Sequence, residues 1–600
     1  MKLLLQPILT SLLAGIVILL IPKRFRRVTE SFSFLASLYL LAASVRIFLG
    51  SPVNAGYLYV DGLSRFIVLG IGFFGVIATL YSLRFMAAYK EYRSYYVYII
   101  WTIGFSILAA VSNNILILMV AWGFLGFTLY MLINAGGPNA AGTSKKAFII
   151  IGGSDSLMIL GFALVWFITG DLNLSSIKIV VDNSMSSWAF LLVAIGAFAK
   201  AGAMPFHTWV PDTAKDAPIP VTAFLPASLD KLLGIYLLAR LVLNVFILND
   251  ATYQVLMIIG AVTIVAAVMM ALVQHDFKKL LGYHAVSQVG YMVLGIGTGN
   301  PVGIAGGLFH MLNHAIYKCC LFLSGGNVEF KTKTSDLDSL GGLAKFMPIT
   351  FGTTLIASFA ISGLPPLNGF FSKWMIYQGL VEKSKSGGVL WIFCLVAAMF
   401  GSALTLASFI KLIHAIFLGK TKDEPRTTNH ERRNEVSFSM WLPPAILAGL
   451  CVIFGVFAYI IPLKYFIIPA LPEGGLDLIG TWPSLKATVF LIAGLGIGLL
   501  IYLMGNLKGI RETSSYIGGE EIDDDMRLSG TEFYRAIEEI PFIKRLYTKA
   551  NNGAFDLYEQ GKRFVFFFID IFRYLHNGVL SSYLVWCLLG MMILFFSFIR

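Results

Sequence analysis

Long apolar runs separated by short polar or basic loops fill most of this chain. About sixteen such runs lie near 2–21, 31–50, 62–83, 94–111, 113–134, 147–169, 187–205, 219–247, 252–272, 281–298, 302–324, 348–376, 389–418, 438–461, 485–505 and 580–599. A spanning helix needs about 20 apolar residues, because backbone groups in lipid must be satisfied within the segment. The pattern predicts an all-α integral membrane protein of about sixteen transmembrane helices. The first run reads as a permanent helix and not a secretory signal: its positives (Lys23, Arg24, Arg26, Arg27) follow the apolar stretch, and no small-residue cleavage site stands out.

Prolines divide the array. Pro205 ends the seventh run and Pro365-Pro366 interrupt the twelfth, five runs later. Interrupted helices at corresponding places in two halves point to inverted repeats with a site at the bilayer midplane. An offset of five helices inverts topology, so helices 4–8 and 9–13 are expected to form two inverted five-helix repeats. The resulting organisation is 1–111 for helices 1–3 and the start of the first repeat, 94–247 for the first half and 252–420 for the second. Helices 14 and 15 follow over 438–505, then a polar, acidic loop over 506–531 (Glu520, Glu521, Asp523, Asp524, Asp525). Residues 532–575 mix charges with Phe and Tyr at helical spacing. They read as one long amphipathic lateral helix, lying along the membrane face or neighbouring subunits. The last spanning helix covers 580–600.

Composition agrees with this picture and narrows it. The chain of 600 residues is 57% hydrophobic and only 13% charged, about half the charge of a soluble protein. The formal net charge of +12 is a topology signal. If the cluster at 23–27 is cytoplasmic and sides alternate, the inner loops carry twenty basic residues and the outer loops four (Lys178, Lys383, Lys385, Lys464). This places both termini outside a cytoplasmic membrane and the lateral helix on its cytoplasmic side. Lipid is thus the expected partner, and nucleic acid is not. The five cysteines (Cys319, Cys320, Cys394, Cys451, Cys587) form no C-x-x-C pair, which argues against iron–sulfur or zinc. No metal and no cofactor is expected on this chain, so any redox chemistry belongs to another chain or a diffusible carrier.

The informative residues are the ionisable ones at bilayer depth, each a functional hypothesis because placing a charge there costs at least about 2.5–3.5 kcal/mol. Lys200 precedes the Pro205 break; Asp230 and Lys231 interrupt the eighth run; Asp155 lies in the sixth. His310, His314 and Lys318 stand at i, i+4 and i+8, one stripe on one face of the eleventh helix. Lys373 follows the Pro365-Pro366 break. Asp230, His207, Lys411 and His414 are accessory candidates. An imidazole accepts at one nitrogen while donating from the other, and an amine away from water can cycle between charged and neutral forms. Bridged by water, such groups form a proton wire.

The motifs resemble one family. Lys200-Ala201-Gly202-Ala203-Met204-Pro205-Phe206-His207-Thr208-Trp209-Val210-Pro211-Asp212 is similar to the signature of antiporter-like subunits. These occur in respiratory complex I, energy-converting membrane-bound hydrogenases and Mrp sodium/proton antiporters. Further matches are Val273-Gln274-His275-Asp276-Phe277-Lys278-Lys279, Ser287-Gln288-Val289-Gly290-Tyr291, the His310/His314/Lys318 helix and Gly369-Phe370-Phe371-Ser372-Lys373. Tyr59-Val60-Asp61-Gly62-Leu63-Ser64 resembles the N-terminal part of the members that end in a lateral helix. The resemblance implies two half-channels joined by a hydrophilic axis. In it Lys200 is the switching lysine of helix 7, His310, His314 and Lys318 are the connecting groups of helix 11, and Lys373 is the terminal lysine of helix 12. Two places depart from the family pattern. Its Trp-Glu pair in helix 5 reads Ala121-Trp122-Gly123 here, so either Asp155 partners Lys200 or coupling in the first half differs. Pro226 stands where complex I relatives often have histidine.

Short motifs (Ile151-Gly152-Gly153-Ser154-Asp155, Pro365-Pro366-Leu367-Asn368-Gly369, Ile517-Gly518-Gly519-Glu520) resemble the large antiporter subunit of energy-converting, Ech-type group 4 hydrogenases. The leading expectation is a proton-translocating subunit of such a complex I-like hydrogenase. Its partners would be other antiporter-like and small membrane subunits under the lateral helix, and a peripheral hydrogenase-like, ferredoxin-linked redox module. The alternatives are the distal subunit of a NADH- or ferredoxin-dependent quinone oxidoreductase, an Mrp-type cation/proton antiporter or inorganic-carbon uptake subunit, and a purely structural subunit.

Overall fold

Several of the long helices begin at a residue whose side chain caps them. The computed structural model describes residues 2–419, 434–471, 484–504, 531 and 534–599, in two units, Met1–Glu538 and Glu539–Arg600. In order, the helices are α1 (Lys2–Leu20), α2 (Arg26–Leu49), α3 (Gly62–Phe85), α4 (Tyr92–Val111), α5 (Ile115–Asn134), α6 (Ala141–Thr169), α7 (Ser184–Ala201), α8 (Trp209–Asp216), α9 (Ile219–Phe224) and α10 (Asp230–Arg240). There follow α11 (Asp250–Leu272), α12 (Phe277–Gly297), α13 (Pro301–Thr332), α14 (Pro348–Ser362), α15 (Asn368–Lys383), α16 (Leu390–Ile413), α17 (Phe438–Val456), α18 (Ser484–Met504) and α19 (Arg535–Glu538). The second unit holds α20 (Pro541–Asn551), α21 (Leu557–Leu575) and α22 (Leu580–Ile599). Asp61, Asn114, Asn183, Asn249, Asp276 and Asn300 cap α3, α5, α7, α11, α12 and α13, each side chain accepting from a backbone N–H of the first turn.

Among the described residues twelve helices are long and apolar enough to cross a membrane. The other four expected spans correspond to α12, α13, the α14–α15 pair and α18. Every residue of α13 from Val302 to Val328 is buried, as is every residue of α10. Helices wrapped by protein and not by lipid tolerate polar side chains, which is why α13 can carry the His310, His314 and Lys318 stripe. The amphipathic stretch expected as one helix over 532–575 is interrupted. Gly553 adopts φ +73 after α20, and Asp556 starts α21 by accepting from the Tyr558 N–H. A left-handed glycine ends a helix, so α20 and α21 are separate segments. The acidic stretch 506–530 lies outside the described residues.

The two proline breaks share one construction. α7 ends at Gly202 (φ +78), whose N–H bonds the Phe198 and Ala199 carbonyls, and a cis Met204–Pro205 bond follows. α14 ends at Gly363 (φ +83), whose N–H bonds the Ala360 carbonyl, and a cis Pro365–Pro366 bond follows. Both glycines hold a backbone conformation that side-chain-bearing residues rarely adopt. A third irregularity, a π-helical turn at Leu225–Leu229, directly precedes Asp230 and Lys231. Pro226 lacks an N–H and so cannot maintain the α-helical ladder there, and within the same turn the Ser228 hydroxyl donates to the Ala223 carbonyl at 2.8 Å.

At one end of the bundle the loops between α2–α3, α4–α5, α6–α7 and α10–α11 interlock. Ile179–Val180 pairs in parallel with Phe246–Ile247, and Asn113 bonds Gly56, Tyr57, Leu174 and Ser175. Beneath them Arg240 holds Asp61 through two hydrogen bonds, of 2.5 and 2.9 Å, and also reaches Ser64, Tyr236 and Asn244. This cluster ties the N-terminal helices to the first half. Arg240→Ala strands a mostly buried carboxylate, and removing one partner of such a pair is expected to destabilise by about 2–4 kcal/mol. A clear drop in the thermal midpoint of the detergent-solubilised protein is the expected result; an unchanged midpoint contradicts the clamp.

Candidate functional site

The breaks supply what a buried cation needs. A helix end leaves carbonyls without N–H partners, and their partial negative charge favours a cation. Lys373 on α15 sends its Nζ to the Ile361 carbonyl at 2.9 Å, at the end of α14, with the Tyr291 ring 4.7 Å away. Lys318 donates to the Leu281 carbonyl at 2.7 Å. Lys411 donates to the Leu272 and Gln274 carbonyls at 2.6 and 2.9 Å, at the end of α11. The corresponding break in the first half is sealed differently, by the Trp209 indole donating to the Ala199 carbonyl at 3.0 Å.

Lys200 has a carboxylate instead. Its Nζ lies 3.6 Å from Asp230 Oδ1, with both side chains almost wholly buried. Close packing makes this possible: a Cβ at Gly234 would come within 2.8 Å of the Ala197 carbonyl, so α10 presses directly on the last turn of α7. Asp155, the alternative partner, is half-buried on α6 and accepts the Trp122 indole N–H at 3.0 Å, while Lys200 Nζ lies 5.5 Å from that ring. Lys200 therefore has Asp230 as its direct counter-charge, with Asp155 behind the indole. Gly123 faces outward, and a Cβ there would meet no atom within 4 Å.

From this pair a polar train runs inward. Lys231 Nζ, 5.5 Å from the Trp209 ring, has no hydrogen-bond partner among the described residues, nor do Asp230 Oδ2 and both ring nitrogens of His314. His314 lies within electrostatic reach of Lys231, Lys318 and His310. His310 is tied at Nδ1 to the Ser372 hydroxyl (2.9 Å), and at Nε2 to Gln288 (3.1 Å) and Tyr317 (3.2 Å). Ser372 directly precedes Lys373 in the chain. The order is thus Lys200–Asp230, Lys231, His314, Lys318 and His310, then Ser372 and Lys373.

The sequence-predicted residues are mostly brought together. Lys200, Asp230, Lys231, His310, His314, Lys318 and Lys373 form one buried series. His207 is buried in the link between α7 and α8, and Lys411 lies apart at the end of α16. His414 does not join them: it is exposed just after the end of α16, where Lys411 is buried. Sequence reading gave no role to His284, Gln288, Tyr291, Tyr317 and Ser372, although Gln288, Tyr291 and Ser372 stand in the quoted motifs. Tyr317 had a legible signal, seven residues after His310 on the same stripe; His284 was a lone histidine in a buried helix.

Residues 112–405 match the family described as NADH:quinone oxidoreductase/Mrp antiporter, TM. The chain is 31% identical to a Na(+)/H(+) antiporter subunit of Alkalihalophilus pseudofirmus, over 74% of its own length and 59% of the relative's. It is 33% identical to a Na(+)/H(+) antiporter subunit of Staphylococcus haemolyticus, over 67% and 52%. The chain thus spans little more than half the length of these relatives. Its fold resembles a chain of the membrane-bound sulfane sulfur reductase, an archaeal respiratory membrane complex (TM-score 0.80, 22% identity, 98% of this chain and 99% of that one). It also resembles a chain of the Mrp complex of Dietzia sp. (TM-score 0.70, 20% identity, 78% and 96%). The protein belongs to the antiporter-like membrane subunits of the complex I/Mrp type.

Asp230→Asn removes the counter-charge of Lys200 and is expected to lower ion transport by the assembled complex at least tenfold. Asp155→Asn, one indole further away, is expected to lower it several-fold at most. A larger loss in the Asp155 variant reverses the assignment.

Proposed function

We propose that this chain is the proton-translocating subunit of a redox-driven, multi-subunit membrane complex, with electron transfer on partner subunits. The observation that carries the reading is the buried Lys200–Asp230 pair at the head of a series of lysines and histidines ending at Lys373. A charge change that draws Asp230 away weakens the hold on the Lys200 proton. That proton then passes through water and His314 to Lys318, His310 and Lys373. The carbonyl ends of α14 hold the Lys373 ammonium until release. Full-length likeness to a chain of a respiratory complex supports redox drive, as do the hydrogenase-type motifs around Asp155, Pro366 and Gly518. The charge asymmetry of the loops supports placing both termini outside and α20–α21 on the cytoplasmic side.

A second reading, an Mrp-type cation/proton antiporter subunit, is favoured by the 31–33% identity to the sodium/proton antiporter relatives. Everted vesicles from cells carrying the whole complex separate the two. Acidification driven by an electron donor supports redox drive, and acidification changes driven by added Na+ alone support antiport. A co-purifying nickel–iron large subunit would specify a hydrogenase. In either assay, alanine at Lys200, Lys318 or Lys373 is expected to abolish or sharply lower transport while the complex still assembles. Wild-type transport in all three variants would sink the reading.

A further inference from the structure

We propose that His284 and Lys411 form a side branch of the proton path, joining Lys318 to the water-facing His275–Asp338 pair at the edge of the second half. The inference rests on the proton-translocating reading above and adds an inlet to it. His284 lies on α12 with no exposed surface and is not used by the series from Lys200 to Lys373. Its Nε2 is 2.8 Å from the Ser408 hydroxyl on α16, and Ser408 is one helical turn from Lys411. Its ring packs on Phe409 at 4.7 Å between centroids, and Lys318 Nζ stands 5.6 Å from the centroid of the same phenyl ring. Lys318 donates to the Leu281 carbonyl, one turn before His284. His284 Nδ1 has no hydrogen-bond partner among the described residues. Lys318, Lys373 and Lys411 all act electrostatically on this imidazole. Among these groups His284 therefore stands between the axis and Lys411.

The outer end is equally defined. Lys411 bonds the Gln274 carbonyl, and the next residue, His275, places Nδ1 2.7 Å from Asp338 Oδ2. The His275 side chain is 53% exposed, whereas Lys411 is 4% exposed. The Tyr534 ring lies 5.9 Å from Lys411 Nζ, and Thr531 donates to Asp338. Asp338 and Glu538 are within electrostatic reach of Lys411. A carbonyl-capping role explains Lys411 alone. It leaves unexplained a buried imidazole that is hydrogen-bonded to the same helix at one nitrogen and free at the other. Such a ring takes a proton at Nε2 from the Ser408 hydroxyl, which is replaced from Lys411, and gives one up from Nδ1 towards Lys318. One proton moves in total: Lys411 becomes neutral, Lys318 becomes charged, and His284 ends as the other neutral tautomer.

The test uses the complete complex restored in a deletion strain, with assembly followed on native gels and initial acidification rates read in everted vesicles. His284→Gln and Lys411→Met are each expected to cut transport to about half or less, since the path from Lys200 remains, and the double variant is expected to match the slower single, because both interrupt one path. Lys411→Arg keeps the carbonyl bonds and the charge but does not release a proton, so it is expected to be as slow as the methionine variant. A wild-type rate in Lys411→Arg reduces Lys411 to a helix cap and overturns the branch. Wild-type rates in both His284→Gln and Lys411→Met, with Lys318→Met inactive, overturn the branch and leave the central path standing. Wild-type rates in Lys318→Met and in the Lys200 and Lys373 alanine variants together overturn the proposed function itself.

Discussion

Cations cannot be held inside a membrane protein without negative charge or carbonyl dipoles beside them, and the rest of this structure follows from how they are supplied. Moving an ammonium out of water costs several kcal/mol even after relaxation. Regular helices use their carbonyls in their own ladders, so a break frees some, as at the end of α14 for Lys373, whereas Lys318 shares the Leu281 carbonyl within α12. The breaks at Gly202–Pro205 and Gly363–Pro366 and the π-helical turn before Asp230 are the result. Lys200, Lys231 and Lys373 each lie at one of them.

The two halves meet this constraint in different ways. The first gives Lys200 a carboxylate, and seals the freed carbonyls of α7 with an indole. Among the described residues, the second gives Lys318, Lys373 and Lys411 main-chain oxygens as hydrogen-bond partners. A carboxylate partner answers to a change of charge nearby, whereas a carbonyl partner answers to a shift of helix position. The first pair is thus the natural receiver of an electrostatic signal, and the second set responds to helix movement. The outward-facing Gly123 fits this arrangement, since the counter-charge of Lys200 comes from α10 and leaves α5 with none to supply.

Burial explains the polarity gradient across the bundle. α13, buried along almost its whole length, carries His310, His314 and Lys318, while α6, with much of its surface exposed, carries Asp155 as the one ionisable residue of its membrane portion. At one end, strand pairing and the Arg240–Asp61 cluster tie the loops together.

The sequence alone determined the helical membrane class, the positions of the two breaks and most of the buried ionisable residues. Apolar run length, proline position and the cost of a charge in lipid are all local properties, legible one segment at a time. The series His310–His314–Lys318 was visible because a helix has a known period. The interruption of 532–575 was obscured by an amphipathic pattern that continues across Gly553. Tertiary structure alone decided which carboxylate faces Lys200, which carbonyls receive Lys318, Lys373 and Lys411, and that His284 belongs with them while His414 does not. Those choices depend on how helices far apart in sequence cross, and spacing along one helix holds no information about its neighbour's register.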